Sequence, residues 1–138
     1  MKPIKLIIKT KSDTYPIIIG SNLITHLSKI LKKNSVIFGK CLFVIDKNLP
    51  NKIISRLSKS FKNKKIYKYS FHANEKNKSQ KSIDKILNIL LSKNFSRQDC
   101  IIAVGGGITG DVSGYAASIF KRGLQFVNIP TTLLSQVD

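Results

Sequence analysis

The residues best suited to bind a ligand are three consecutive glycines followed by an acid. They lie in residues 101–111, Ile-Ile-Ala-Val-Gly-Gly-Gly-Ile-Thr-Gly-Asp. Because glycine has no Cβ, the backbone N–H groups of Gly105, Gly106 and Gly107 can approach an anion, and a following helix can direct its positive end toward it. The pattern predicts a buried strand over 101–104 that leads into a phosphate-binding turn.

The spacing of Gly105, Gly107 and Gly110 also matches the G-x-G-x-x-G motif of dinucleotide-binding folds. That motif requires an acid about 20 residues later, which binds the ribose hydroxyls. The next apolar segment ends at 128–130, Asn-Ile-Pro, without an acid. If this is a nucleotide site, the ribose must be bound by a residue from another loop.

Asp46 and Asp111 are the acids that could serve such a site. Asp46 ends an apolar run and could accept hydrogen bonds from ribose hydroxyls, or it could form an Asx turn; the residues favour neither. Asp111 lies just after the glycines, where it could cap the helix or reach a ligand.

Two further loops carry polar residues where strands are expected to end. Glu75 and Lys78 could form a local salt bridge, and Thr131 and Thr132 could bind a phosphate or cap a final helix. In an open α/β sheet, ligands bind at the carboxyl ends of the strands, especially where the strand order reverses. Physical reasoning alone predicts a nucleotide-shaped crevice and no reaction.

The elements that would position these loops alternate between strands and helices. The first part predicts a β-hairpin over Ile4–Lys9 and Tyr15–Ile19, a helix over about 21–33 capped by Ser21, and a buried strand over Cys41–Ile45. It continues with a helix from Pro50, a strand over Lys65–Phe71, and a helix after the polar residues 72–82.

The last part predicts a helix over Val112–Phe120, a strand over Gln125–Ile129 and a further helix after Thr132. Strands and helices in alternation are typical of a parallel sheet with right-handed crossovers. We therefore expect one Rossmann-like α/β domain over 1–138, with an N-terminal β-hairpin. Since the chain stops within its final element, we also expect it to be incomplete.

The charge of the chain is strongly positive but unevenly distributed. The net charge is +17, and residues 1–100 carry 22 Lys or Arg against 5 acids, whereas 101–138 is neutral. Only three of the 24 cations are arginine, although a protein that reads bases would be expected to use more. Solvated lysines on helix faces explain the charge better than a specific nucleic-acid site, although salt-sensitive binding to polyanions remains expected.

The cysteines and histidines are few and far apart. Cys41 and Cys100 each begin an apolar run and are expected to be buried free thiols. His26 and His72 are too isolated to form a metal site. No apolar run is long enough to span a membrane. These features predict a soluble cytoplasmic protein that supplies no metal ligands and does not associate with a membrane.

Three segments resemble 3-dehydroquinate synthases. They are Gly-Gly-Gly-Ile-Thr-Gly-Asp at 105–111, Lys-Arg-Gly at 121–123, and Ile-Pro-Thr-Thr-Leu-Leu-Ser-Gln-Val-Asp at 129–138. The resemblance is specific over Ala103–Asp138 and weaker over the rest of the chain. It implies an NAD-dependent lyase of the shikimate pathway, which converts 3-deoxy-D-arabino-heptulosonate 7-phosphate to 3-dehydroquinate and phosphate.

The resemblance also implies roles for individual residues. Asp138 would face nicotinamide and substrate, and Arg122 would reach the phosphate of a sugar-phosphate substrate in a neighbouring subunit, which implies a homodimer. The remaining implied residues all belong to the NAD site: Asp46, Glu75, Lys78, Gly106, Gly107, Ile108, Thr109, Gly110, Asp111, Thr131 and Thr132.

The chain departs from the family in two places. The family usually has Asp-Gly-Glu-x-x-Lys where this chain has Ala-Asn-Glu-Lys-Asn-Lys at 73–78. Because Asn tolerates the left-handed conformation that glycine would take, the turn can persist, and NAD affinity is the property that the change would affect. The segment and helical domain that follow Asp138 in the family, which supply ligands for a divalent metal such as zinc or cobalt, are not in this sequence. This chain would supply the NAD site only.

Two other functions remain open. Another sugar-phosphate cyclase, or a relative of iron-type alcohol dehydrogenases, could share the glycine turn, although the Thr-Thr-Leu-Leu-Ser-Gln-Val-Asp segment favours the synthase over the dehydrogenase. The alternative of a different class is a basic nucleic-acid-binding module.

Overall fold

The computed structural model describes residues 2–138, which form six strands and five α-helices. The strands are β1 (Ile4–Lys9), β2 (Thr14–Ile19), β3 (Lys40–Asp46), β4 (Lys65–Phe71), β5 (Cys100–Gly105) and β6 (Gln125–Pro130). The helices are α1 (Leu27–Lys33), α2 (Asn51–Ser60), α3 (Gln80–Ser92), α4 (Gly107–Ile119) and α5 (Leu133–Gln136). Single 3₁₀ turns lie at Leu23–His26, Glu75–Asn77 and Phe120–Arg122.

Four of these strands form a parallel sheet in the order β4-β3-β5-β6. The chain first moves outward from β3 to β4, then crosses back to the other side of β3 and continues through β5 to β6. The strand order therefore reverses between β3 and β5, and the space beyond the carboxyl ends of these two strands is the switch-point crevice. The predicted Rossmann-like parallel sheet is confirmed.

The two central strands are buried on both faces because their residues are apolar without interruption. Along β3, Cys41, Phe43 and Ile45 face α1 and α2, whereas Leu42 and Val44 face α3 and α4. Burial of each such large side chain contributes roughly 1.5–3 kcal/mol. The sheet is thereby the middle of three layers.

Helix α4 begins five residues earlier than the predicted helix over Val112–Phe120. Its glycines let it lie close to the sheet edge: a Cβ on Gly110 would be 3.1 Å from the side-chain amide of Asn128, and one on Gly114 would be 3.2 Å from the ring of Phe126. Because this packing stabilises the helix, low glycine propensity does not delay its start. The predicted glycine turn is thus reduced to Gly106, which lies between the end of β5 at Gly105 and the start of α4 at Gly107.

The predicted helix over 21–33 is also corrected. Leu23–His26 is a 3₁₀ turn, and the α-helix begins only at Leu27. Asn22 precedes the turn in the left-handed conformation, with φ of 57°, and no side chain caps it. Ser21 therefore does not cap this helix, because the chain turns after it.

The hairpin of β1 and β2 is confirmed and forms a separate two-stranded antiparallel sheet. The register pairs Ile4 with Ile19 and Leu6 with Ile17, so one face is wholly apolar. These four side chains are 40–53% exposed. No helix among residues 2–138 has both the length and the apolar character needed to cross a membrane.

Candidate functional site

Asp46 and Gly105, the last residues of β3 and β5, lie side by side at the switch-point crevice. A Cβ on Gly105 would be 3.1 Å from Cβ of Asp46 and 2.6 Å from Oγ1 of Thr109. Real Cβ atoms do not tolerate the second contact, so only glycine fits at 105. The close approach brings the predicted acid and the predicted glycine turn to the same point.

The amino terminus of α4 opens into this crevice without a side-chain cap. Gly106 precedes the helix in an extended conformation, and the first helical hydrogen bond runs from the Gly110 N–H to the Gly106 carbonyl at 3.1 Å. The N–H groups of Gly107, Ile108 and Thr109 precede that bond and have no helical acceptor, as in any first turn. Together with the positive end of the helix dipole, they suit an anion.

Gly107 leaves open space in front of these donors. The nearest atom to a Cβ placed there is Oδ2 of Asp138, at 3.8 Å. Gly106 is more crowded, because its Cβ would lie 3.2 Å from the methyl group of Thr132. The structure thus brings Asp138 and Thr132 beside the glycines.

The side chain of Thr109 is buried, although the resemblance assigned this residue to the cofactor site. Its side chain is fully buried, and its hydroxyl has no hydrogen-bond partner within residues 2–138. The side chain of Ser113, one helical turn later, is also fully buried, and its hydroxyl likewise has no hydrogen-bond partner within residues 2–138. The helix starts earlier than expected, and the Thr109 side chain lies against Gly105 of β5, so Thr109 can offer a ligand its backbone N–H and not its hydroxyl.

Asp46 forms the Asx turn that the sequence left as an alternative. Its Oδ1 accepts a hydrogen bond from the backbone N–H of Asn48 at 3.0 Å. The turn fixes the carboxylate at the end of β3 and leaves Oδ2 for a ligand. The two readings of Asp46 are therefore compatible.

Lys78 contacts the glycine segment across the crevice. Its Nζ lies 2.9 Å from Oδ2 of Asp111, and both side chains are about half exposed. The hydrogen bond and charge of Asp111 raise the pKa of Lys78, and the charges of Glu75 and Asp138 add to this. The predicted local pair of Glu75 with Lys78 is replaced by this longer-range pair, and Asp111 does not cap the helix.

Asn74 does not use the left-handed conformation that asparagine tolerates. With φ of −149° and ψ of 168° it is extended, and its side chain accepts a hydrogen bond from the Asn77 N–H at 2.9 Å. The turn persists because a side-chain cap replaces the backbone freedom of glycine. Sequence reasoning missed Asn77, although an Asn-x-x-Asn spacing was a usable sign of capping.

The loop after β6 closes the crevice from the other side. The Thr131 N–H donates to the Gly105 carbonyl at 2.9 Å. Thr132 caps α5 in a reciprocal arrangement with Ser135, so the predicted N-cap is confirmed for this residue. Both threonines are held in place by hydrogen bonds beside the glycine turn.

Arg122 lies outside this cluster. It follows the far end of α4, roughly 20 Å along the helix axis from the glycines. It is exposed and lies in a turn in which the Gly123 N–H donates to the Phe120 carbonyl at 2.8 Å. Arg122 therefore does not share a ligand with the crevice of its own chain.

The thiols are buried and free, as predicted. Cys41 and Cys100 occupy paired positions on β3 and β5. Burial raises the pKa of the Cys41 thiol, and the neighbouring Cys100 raises it further. A thiol with a raised pKa is a poor nucleophile. Within residues 2–138, no three His, Cys, Asp or Glu side chains are grouped as metal ligands.

Comparison with protein families gives a match over half of the chain. The sequence model described as 3-dehydroquinate synthase N-terminal matches residues 68–138. The chain is 56% identical over 135 residues to 3-dehydroquinate synthase of Pelagibacter ubique and 39% identical over 139 residues to that of Blochmanniella floridana. These alignments cover 98% and 97% of this chain, but only 37% of each relative.

Solved structures share the fold at lower identity. A 2-deoxy-scyllo-inosose synthase, complexed with carbaglucose-6-phosphate, NAD⁺ and Co²⁺, matches with a TM-score of 0.87 and 23% identity, over 98% of this chain and 36% of that one. The 2-epi-5-epi-valiolone synthase of Streptomyces hygroscopicus, with NAD⁺ and Zn²⁺ bound, matches with a TM-score of 0.78 and 22% identity, over 96% and 37%. These likenesses concern the fold alone.

Proposed function

The chain belongs to the 3-dehydroquinate synthase family, and from that membership we propose that residues 1–138 form the NAD-binding part of such an enzyme. The observation that carries the proposal is the convergence of four loops on one crevice. Asp46, the glycine turn, Lys78 and the Thr131–Thr132 segment all reach the switch point. A dinucleotide site needs two features together: a binding site for the pyrophosphate anion, here the glycine turn, and an acceptor for the ribose hydroxyls, here Asp46.

The residues present fit NAD at both of its polar parts. The pyrophosphate would lie on the uncapped end of α4, where Gly107 leaves the space that a Cβ would fill. The Asp46 carboxylate would accept hydrogen bonds from the adenosine ribose, with Glu75 and Lys78 on the adenosine side. The residues proposed at the pyrophosphate end are Gly106, Gly107, Ile108, Thr109, Gly110, Asp111, Thr131 and Thr132.

The proposed reaction of the complete enzyme converts 3-deoxy-D-arabino-heptulosonate 7-phosphate to 3-dehydroquinate and phosphate, in the shikimate pathway toward chorismate and the aromatic amino acids. NAD, when bound, supplies reversible acceptance of a hydride from the substrate. The residues of this chain would bind NAD and orient it toward the substrate. Asp138, beside Gly107, would face the nicotinamide and the substrate.

Other parts of the enzyme are proposed to complete the site. A divalent metal, zinc or cobalt, would be bound by residues other than 1–138; Co²⁺ and Zn²⁺ occur in the two cyclase structures named above. Arg122, remote from its own crevice, would bind the substrate phosphate of a second subunit in a homodimer. Buried free thiols suit the reducing cytoplasm, the proposed location.

A related enzyme is the second candidate. An NADH-dependent butanol dehydrogenase of Thermotoga maritima shares the fold with a TM-score of 0.64 and 14% identity. Another sugar-phosphate cyclase or an iron-type dehydrogenase would use the same crevice for NAD. Turnover of each substrate class by the complete enzyme separates these from the synthase.

The ribose contact is tested by Asp46→Asn. The amide keeps the oxygen that accepts the Asn48 N–H, but it removes the charge that strengthens hydrogen bonds from ribose hydroxyls. We expect NAD affinity, measured by calorimetry, to fall about tenfold or more, since hydrogen bonds to charged groups contribute roughly 1.5–3 kcal/mol. The control is Asp84→Asn, which should leave affinity unchanged because Asp84 is an exposed acid on α3 that accepts a hydrogen bond from the Gln80 side chain. Equal affinity of Asp46→Asn and the parent would remove Asp46 from the site.

A further inference from the structure

The loop between β4 and α3 is held by hydrogen bonds from two asparagine side chains. The Asn74 side chain accepts a hydrogen bond from the Asn77 N–H at 2.9 Å, and the Asn77 side-chain amide donates to the His72 carbonyl at 2.7 Å. Two backbone bonds close the same turn, from Asn77 N–H to the Asn74 carbonyl and from Lys78 N–H to the Glu75 carbonyl. We refer to Asn74 and Asn77 as the asparagine pair.

The asparagine pair has a direct geometric consequence for Lys78. This lysine is the first residue after the 3₁₀ turn, and its Nζ reaches Asp111 on α4, 33 positions later in the chain, at 2.9 Å. An ion pair between two half-exposed side chains contributes little by itself and does not order a loop. The loop path that brings Lys78 to Asp111 is therefore set by the bonds within the loop, and the side chains of the asparagine pair supply two of them beside the two backbone bonds.

We propose that Asn74 and Asn77 are positioning residues of the NAD site: they fix the β4–α3 loop so that Lys78 stands against Asp111 at the mouth of the switch-point crevice. This inference rests on the proposed function for its link to NAD, but not for its link to the ion pair. Neither asparagine touches the cofactor in this scheme. They act through Lys78 and Glu75.

The two variants that test the proposal are Asn74→Ala, which removes the acceptor, and Asn74→Ser, which keeps an oxygen that caps well. The first readout is the pKa of Lys78, followed by NMR of its side chain over a pH titration. Asp111 raises this pKa in the parent. In Asn74→Ala it should fall toward the ordinary lysine value, because the loop no longer keeps Nζ beside the carboxylate, whereas Asn74→Ser should preserve it.

The second readout is NAD affinity by calorimetry on the same chains. We expect Asn74→Ala to bind about fivefold more weakly, the factor that corresponds to loss of a typical cap. Asn74→Ser should lie within twofold of the parent. Asn63→Ala, an exposed asparagine at the opposite end of β4, is the matched control and should change neither readout.

The two readouts distinguish the possible failures. An unchanged Lys78 pKa in folded Asn74→Ala overturns the positioning role, whatever NAD does. A lowered Lys78 pKa in Asn74→Ala, together with a parent that does not bind NAD, supports the positioning role and contradicts the cofactor assignment. If Asn74→Ala fails to fold, Asn77→Ala removes only the bond to His72. It should then give a smaller shift of the Lys78 pKa in the same direction, and no shift contradicts the proposal.

Discussion

At the residue scale, Gly105 occupies the most crowded position of the crevice. The absence of its Cβ allows β3, β5 and α4 to meet, because both Oγ1 and Cβ of Thr109 would otherwise lie within 3.0 Å. Gly107, two residues later, faces open space. The consecutive glycines therefore have different tasks: the first permits packing, and the third leaves room for a ligand.

Gly105→Ala should destabilise the fold by about 2–3 kcal/mol, since the added methyl group is forced against a buried side chain. Denaturant unfolding measures this. In a Thr109→Ala background the same substitution should cost at least about 0.5 kcal/mol less, because the two sites are in contact. A cost of Gly105→Ala that is independent of residue 109 would contradict the described packing.

The sequence could identify the candidate residues but not all of their orientations. Asp46 and the glycines follow apolar runs, so their place at strand ends was predictable. The burial of the Thr109 hydroxyl depends on where α4 begins, and the pairing of Lys78 with Asp111 depends on tertiary contact. Neither is encoded in local spacing.

At the scale of elements, the turn between α4 and β6 is strained. Lys121 and Arg122 have φ of 45° and 68°, and the turn is closed by the Gly123 N–H to Phe120 carbonyl bond. Positive φ at both central residues defines a type I′ turn, which favours asparagine and glycine. Lys121 is secured by a hydrogen bond from Nζ to the Phe95 carbonyl at 2.8 Å.

Arg122→Gly should stabilise the chain by about 1 kcal/mol, because a left-handed conformation costs a non-glycine residue roughly 1–2 kcal/mol. The melting temperature should rise by about 4 °C for a chain of this length. Arg122→Ala removes the same guanidinium but keeps the strain, so it should show no gain. A glycine variant that melts no higher than the alanine variant would argue against strain at 122.

The elements themselves were predictable where one physical cause dominates. β3 and β5 were found because uninterrupted apolar residues signal a strand buried on both faces. The start of α4 was missed because glycine propensity opposes a helix that tertiary packing against Phe126 and Asn128 stabilises. The 3₁₀ turn at Leu23–His26 was missed because Asn22 reverses the chain locally.

At the scale of the whole molecule, the positive charge is unevenly distributed along the sequence. The net charge of +17 arises within residues 1–100, whereas the glycine segment is neutral. The alternative of a nucleic-acid-binding module therefore rests on charge alone.

Binding of a fluorescent oligonucleotide should be non-specific and should weaken steeply between about 50 and 200 mM salt, as counterion release requires. Fluorescence anisotropy over a salt series measures this, with a scrambled oligonucleotide as the control for sequence preference. Nanomolar binding that persists at physiological salt and prefers one sequence would favour the nucleic-acid function.

The most direct test of the NAD site compares the parent chain with Gly107→Ala by calorimetry and thermal unfolding. A Cβ at 107 enters open space, so the variant should be as stable as the parent or slightly more so. The same methyl group would occupy the proposed pyrophosphate position. We predict measurable NAD binding by the parent and at least a tenfold loss in a fully folded Gly107→Ala. A folded parent that binds no NAD, or a variant that binds as tightly as the parent, would contradict the account.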